Sequence, residues 1–327
     1  MKEIKITDIK GIRIGHAQDP VGGTGCTAIL CDKGATASGD VRGGGPASRE
    51  TEMLRPEKTV EQIHGIMLSG GSAYGLAAGD GALAYLEEKG IGFDAGCGIV
   101  PLVCGASCFD LEVADPKARP TKEMGYAACV ASESGEEPAQ GNVGAGTAAT
   151  VGKFFGTDYM MKSGLGIYAV QVGNIQVGAL VVVNALGDVI DYDTRKPLAG
   201  LLTPDKKSIG STVEAMYREI GKERNVYTDA GTVTNTTLGC LITNARITKT
   251  QAYKLAQLTH NGCAQVIRPV HTSADGDSIF VLATGEAEAA PDGLGALATE
   301  VMARAINRAV LKAEHAYGLK TAADFAE

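Results

Sequence analysis

The chain has 327 residues, 44% apolar and 21% charged, with a formal net charge of −8. Those are the proportions of a soluble globular protein with one large core or two ordinary domains. No basic stretch offers the clustered positive footprint of a nucleic-acid binder, and no uncharged apolar run approaches the ~18 residues of a membrane span.

Glycine is abundant, with 44 residues against an average share of roughly 7%. Apolar runs separate the glycines, so they mark tight turns and close backbone approaches rather than low complexity. The eight cysteines contain no Cys-x-x-Cys pair, and no histidine follows Cys97, Cys104 and Cys108 at a zinc-ligand spacing. They are expected to be small, reduced core residues. The mixed-charge start Met-Lys-Glu-Ile-Lys-Ile is neither a signal nor a transit peptide. The expected compartment is the cytoplasm.

In chain order, residues 1–50 are expected as short strands and turns, with Thr27–Cys31 a buried strand. Val41 to Pro46 is a loop, because three glycines before a proline leave room for little else. Ile66–Leu68 is a strand that turns through Ser69-Gly70-Gly71-Ser72 into a helix over about Ala73–Lys89. Ser72 is the expected N-cap and Gly90 the C′ residue. This unit has the outline of an anion cradle, although a tight βα connection is the simpler account.

Residues 112–142 are acidic and loop-rich around a helix near Met124–Ser132. Gly144-x-Gly146-x-x-Ala149 is a poor dinucleotide fingerprint, lacking a clear preceding strand. Strands Ile167–Val172 and Val177–Asn184 are joined by a hairpin turn at Gly173-Asn174. Residues 194–232 hold a helix over about Ile209–Ile220 in a polar, proline-bearing segment, a natural place for a mobile chain end.

A strand runs from Thr236 to Thr243, and Thr248-Lys249-Thr250-Gln251 is a capping box for a helix carrying Ala252, Leu255, Ala256 and Cys263 on one face. Strand Ser278–Ala283 and a helix over about Leu294–Ala316 close the chain. Without a strict βαβ rhythm, this mixture indicates sheets layered with helices rather than a barrel.

The chemistry concentrates in two places. Asn235-Thr236 puts a hydroxyl behind a small amide at the start of an apolar strand, and Asp275-Gly276-Asp277 brackets a glycine with acids. Thr236 can attack the Asn235 carbonyl, and its freed α-amine can then act as its own base. On residue type alone, Thr236 reads first as an ordinary strand threonine, and the acids as a polar loop. A metal site lacks further ligands nearby. His64, His260 and His271 accompany no Gly-x-Ser-x-Gly elbow and suggest no triad.

The order of several segments carries a resemblance over nearly the whole chain: Gly22–Thr27, Val41–Glu50, Leu68–Leu76, Val100-Pro101, Phe109–Leu111, Asn142–Thr147, Met161–Gly166, Val183–Ala185, Asn235–Thr237 and Asp275–Asp277. Together they resemble the autoprocessing P1 peptidases, the L-aminopeptidase/D-esterase family. Threonine at 236 and aspartate at both acid positions resemble its nylon-oligomer hydrolase branch.

The resemblance implies an α+β fold, an αββα four-layer sandwich similar to N-terminal-nucleophile hydrolases but differently connected. It implies one catalytic domain, 1–327, self-cleaving between Asn235 and Thr236 into chains 1–235 and 236–327, the processed units assembling as a homotetramer. It implies Thr236 as nucleophile and base, Asp275 and Asp277 as its orienting acids, Asn184 as an oxyanion donor, Lys162 as a local positive charge and Tyr126 as a phenolic substrate contact. Core packing accounts equally for Tyr126. The substrates implied are small peptides, amides or esters, with no metal or cofactor. An acyltransferase using the same nucleophile, or a non-catalytic nucleotide-binding module on the two glycine turns, are the alternatives.

Overall fold

A computed structural model describes residues 1–221 and 235–326. Its main sheet has ten strands: Lys2–Glu3 (β1), Arg13–Asp19 (β2), Thr24–Val41 (β3), Ala47–Arg49 (β4), Gln62–Ser69 (β5), Val103–Ser107 (β6), Leu165–Val172 (β7), Ile175–Asn184 (β8), Thr236–Ala245 (β9) and Ser278–Ala287 (β10). The hydrogen-bonded order is β1-β7-β8-β9-β10-β3-β5-β6-β4, with β2 also on β3.

The long strand β3 turns this sheet into two layers. Its first half pairs with β2 and β5, and its second half pairs with β10. The β3–β5 register shifts between Leu30 and Ala35, where Gly34 adopts φ +77°. The bend folds one half of the sheet over the other. Ile29, Ile66, Leu68 and Cys104 from one half then pack with Leu180, Val182, Leu238, Cys240, Phe280 and Leu282 from the other. Residues 1–50 do carry the short strands β1, β2 and β4, but Thr27–Cys31 lies within one 18-residue strand, because a bent strand and two short ones have the same local pattern.

Side chains alternate across each strand, so the outer faces are apolar too. Val177, Ala179, Val181 and Val183 of β8, with Ile279 and Val281 of β10, point outward to helices Lys249–Val266 and Pro291–Leu311. On the other side, Cys26, Ala28, Leu30 and Met67 meet helices Ala78–Glu88 (α1) and Lys122–Ala131 (α2). With Thr212–Glu219 as α3, the two helices on the β8 side are α4 and α5. The layers run helix, sheet, sheet, helix, as in an αββα sandwich.

Local signals hold where they rest on local chemistry. Thr248 Oγ1 accepts from the Gln251 amide at 3.2 Å and Gln251 Oε1 accepts from the Thr248 amide at 2.8 Å, closing the capping box of α4. Gly90 adopts φ +68° after α1. Ser72 is different: it sits at φ +52°, makes no side-chain cap, and opens a 3-10 stretch, Ser72–Ala77, before α1 begins at Ala78. The Ser72 amide is held instead by the distant Cys108 carbonyl at 2.9 Å, and the turn is close-packed, since a Cβ at position 75 would lie 1.7 Å from the Gly70 carbonyl oxygen. α5 starts with Pro291 in its first turn and stops at Leu311 rather than Ala316. The helix expected over 209–220 is Thr212–Glu219, capped by Ser211. The remainder of the expected mobile chain end, from 222 to 232, lies outside the described residues.

Candidate active site

Sheet register assembles the site. β8 and β9 are antiparallel with Asn184 opposite Thr236. β9 and β10 are parallel with Leu238 opposite Ser278, so the residues just before both strands emerge side by side. Asn235 accordingly bridges to Asp275. Three segments distant in sequence meet at one sheet end.

The Asn235–Thr236 peptide is gripped from several directions. Asn235 donates its amide to the Ala274 carbonyl at 2.9 Å and its side-chain Nδ2 to the same oxygen at 3.3 Å. The Asn235 carbonyl oxygen accepts the Gly276 amide at 2.7 Å and also the Thr236 hydroxyl. Thr236 is buried, only 4% exposed. Gly276 admits this approach because it lacks a side chain: a Cβ there would stand 2.8 Å from Thr236 Oγ1 and 2.9 Å from the Gly45 carbonyl oxygen.

The glycine run at 43–45 forms the outer wall of the acid loop. Arg42 donates its amide to the Asp277 carbonyl at 2.9 Å, and Gly45 to the Asp275 carbonyl at 2.8 Å. A Cβ at position 43 would lie 2.3 Å from backbone atoms of Asp275 and Asp277.

Both acids are buried and held by the backbone around them. Asp275 Oδ2 accepts from the Thr272 amide at 2.9 Å and its hydroxyl at 2.6 Å, and Oδ1 from the Leu186 amide at 3.4 Å. Burial first, and the charge of Asp277 second, push the Asp275 carboxyl up to about 6. Asp277 Oδ1 accepts the Thr237 amide at 2.6 Å, and Oδ2 lies 2.8 Å from His271 Nδ1. Asp277 thus grips the residue after Thr236.

Asn184 is the junction to a buried cation. Its Nδ2 donates to the Phe109 carbonyl at 2.9 Å, while Oδ1 accepts from the Thr150 amide at 3.0 Å and Lys153 Nζ at 2.8 Å. Lys153 is 2% exposed, and burial lowers its pKa to about 8 against the opposing pull of the Glu112, Asp275 and Asp110 carboxyls. Lys153 escapes a motif search. Its only sequence signal is an isolated cation inside the run Thr150-Val151-Gly152-Lys153-Phe154-Phe155.

Lys162 is buried and bonded to backbone carbonyls. Its ammonium donates to the carbonyls of Gly146, Ala149 and Ser163, the first two at 3.3 and 3.2 Å. Burial lowers its pKa to about 7. Lys153 is the lysine that bonds Asn184. Tyr126 is not brought to the cluster. It lies on α2, donating to Glu88 at 2.7 Å and standing edge-to-face with Tyr85 of α1 at 5.7 Å.

The glycine turns are not open cradles. Gly71 donates its amide to Asp110 Oδ1 at 2.7 Å, and a Cβ on Gly70 would lie 1.8 Å from Asp110 Oδ2. The protein's own carboxylate fills the anion position. Gly144–Gly146 is a short 3-10 turn packed on Thr27, whose Oγ1 would be 2.2 Å from a Cβ at 144. Among the described residues, no three His, Cys, Asp or Glu side chains gather closely enough to hold a metal ion, and no helix is long and apolar enough to cross a membrane.

The helix–sheet–sheet–helix layering is an αββα sandwich like that of the Ntn-hydrolase fold. Structural neighbours agree on the fold. A Burkholderia β-aminopeptidase superposes with a TM-score of 0.69 at 19% identity, covering 97% of this chain and 89% of that one. The L-aminopeptidase D-Ala-esterase/amidase of Ochrobactrum anthropi, described as a variant of the Ntn-hydrolase fold, gives 0.68 at 16% identity, covering 95% and 86%.

Residues 5–323 match the model of peptidase family S58, and the chain belongs to that family. An uncharacterized aminopeptidase of Mycobacterium bovis is 35% identical over 98% of this chain and 97% of its own length. A 6-aminohexanoate-oligomer endohydrolase of Agromyces is 30% identical over 92% and 84%. The protein is therefore a hydrolase of the peptidase type.

Proposed function

We propose that the chain cuts itself between Asn235 and Thr236 and then acts as an N-terminal-threonine amidohydrolase on small peptides, amides or esters. The observation that carries this is the double engagement of one carbonyl, with the Thr236 hydroxyl on one side of the Asn235 oxygen and the Gly276 amide on it at 2.7 Å.

In the first reaction Thr236 Oγ1 attacks the Asn235 carbonyl carbon and loses its proton. The charge that develops on the oxygen is met by the Gly276 N–H, as in an oxyanion hole. Collapse breaks the bond to the Thr236 nitrogen, which takes up a proton, and leaves an ester. Water hydrolyses the ester, giving a carboxylate on Asn235 and a free amine on Thr236.

In turnover that amine, with an ordinary pKa of ~7.7–8.0, removes the hydroxyl proton. Thr236 attacks the substrate carbonyl, the amine or alcohol departs, and water clears the acyl-enzyme. One Asn184 Nδ2 hydrogen is committed to Phe109. The second is available to the substrate oxyanion, and the Lys153 ammonium on Oδ1 polarises the amide toward that role. Relatives named as aminopeptidases and as a 6-aminohexanoate-oligomer endohydrolase support an amide substrate. The homotetramer of processed units remains part of the proposal.

Intact-mass measurement on freshly folded protein, repeated as it ages, tests the first step. Two chains are expected, the smaller beginning Thr-Thr-Leu-Gly. Protein that stays a single chain and hydrolyses amides nonetheless overturns the proposal.

A further inference from the structure

His271 takes no part in the chemistry above, yet it is built into it. Its backbone sits at φ +58°, a left-handed conformation uncommon for a residue with a side chain. Conformations of that kind persist where surrounding contacts over-determine them. Here the contact is Asp277. Oδ2 accepts both the His271 amide at 3.0 Å and its ring Nδ1 at 2.8 Å. Facing a carboxylate oxygen, Nδ1 must be the protonated nitrogen.

The other oxygen of Asp277 takes the Thr237 amide at 2.6 Å. One buried carboxylate thus ties the imidazole to the peptide unit next to Thr236. A buried carboxylate needs its acceptor sites filled, and removal of one donor frees it to rotate. The second face of the imidazole is fixed by His260, whose ring meets it edge-to-face at 4.7 Å. His260 is fully buried, with Nε2 3.0 Å from the Asp40 carbonyl, and burial lowers its pKa to about 4. Asp40 pairs with Arg42 at 2.8 Å. The groups around His271 are therefore Asp277 and His260, with Asp40 and Arg42 behind.

We infer that His271 is the positioning residue of the site: its Nδ1–H locks Asp277 onto the Thr237 amide and so fixes where the Thr236 hydroxyl stands against its target carbonyl. This rests on Thr236 being the nucleophile. The same lock serves self-cleavage and turnover, since Asp277 and Thr237 lie on the same side of the cut.

An isosteric pair tests it. Asparagine and aspartate both accept the left-handed backbone, but only asparagine offers an N–H where Nδ1–H stands. His271→Asn is expected to split and turn over within about threefold of wild type, and His271→Asp to be slower by about tenfold or more, as misplacement of a reacting group costs. In His271→Gly, a similar loss is expected to be reversed by added imidazole, with thermal midpoints recorded for all three. Equal rates for the Asn and Asp variants, or a Gly variant as fast as wild type, overturn the inference. A wild type that never splits overturns the nucleophile assignment as well. A wild type that splits alongside an equally fast His271→Asp removes only the role of His271.

Discussion

The Gly276 amide and the Asn235 carbonyl oxygen are 2.7 Å apart, which joins the acid loop directly to the peptide bond preceding Thr236. Nothing but a glycine fits there, because a Cβ would stand 2.8 Å from Thr236 Oγ1. Gly276→Ala is expected to slow self-cleavage by roughly 10²-fold, the usual cost of disturbing an oxyanion donor. A time course by denaturing gel checks it, and splitting at the wild-type rate would rule out Gly276 as the donor.

Thr236→Ala removes the hydroxyl and is expected to leave one intact chain, with turnover down by roughly 10³-fold or more. Thr236→Ser retains the hydroxyl and should still split. A Thr236→Ala protein cut at the same junction would refute the nucleophile.

Asn184 separates two demands, since its Oδ1 accepts from Lys153 and its Nδ2 is the proposed oxyanion donor. Asn184→Leu leaves the buried Lys153 ammonium without its acceptor, and a loss of about 1–3 kcal/mol is expected on chemical denaturation. Asn184→Asp keeps an acceptor for Lys153 but supplies no N–H. Turnover should fall in both, with stability better kept in the aspartate variant.

Lys153 sets a pH dependence. Burial lowers its folded-state pKa to about 8, so the folded protein releases this proton while the unfolded chain holds it up to ~10.4. Its charge therefore costs stability below about 8, and that cost is relieved as pH rises from about 8 toward 10.4. Activity should move the other way, because the ammonium polarising Asn184 is lost as pH rises through that value. Lys153→Arg, which stays charged, is expected to shift the alkaline limb of the rate profile upward. An unmoved limb would assign it to another group.

Lys162 holds three backbone carbonyls together. Lys162→Met strands the carbonyls of Gly146, Ala149 and Ser163 in a dry interior, and a fall of about 2–4 kcal/mol in stability is expected. Thermal or urea unfolding checks this, and unchanged stability would remove its role as the clasp of that turn.

Much of the local structure is legible in the chain. The Thr248/Gln251 box, the Gly173-Asn174 hairpin and the left-handed Gly90 are each governed by residues within a few positions of one another, as is the apolar run within 236–245 that makes it a strand buried on both faces. The ordered motif set likewise carries the family, since Asn235-Thr236 and Asp275-Gly276-Asp277 keep their residue types whatever surrounds them.

Other features were decided only in three dimensions. Lys153 and Lys162 both sit beside apolar residues in the sequence, and only the packing of the Thr150–Lys153 segment against the end of β8 shows which one reaches Asn184. The bend at Gly34 that makes two layers from one sheet, the carboxylate of Asp110 filling the Gly70-Gly71 turn, and His271 meeting Asp277 share this origin. Each depends on which distant segment is packed alongside, and the energy of that choice lies in sheet pairing and burial between layers, which nearest-neighbour preferences do not contain.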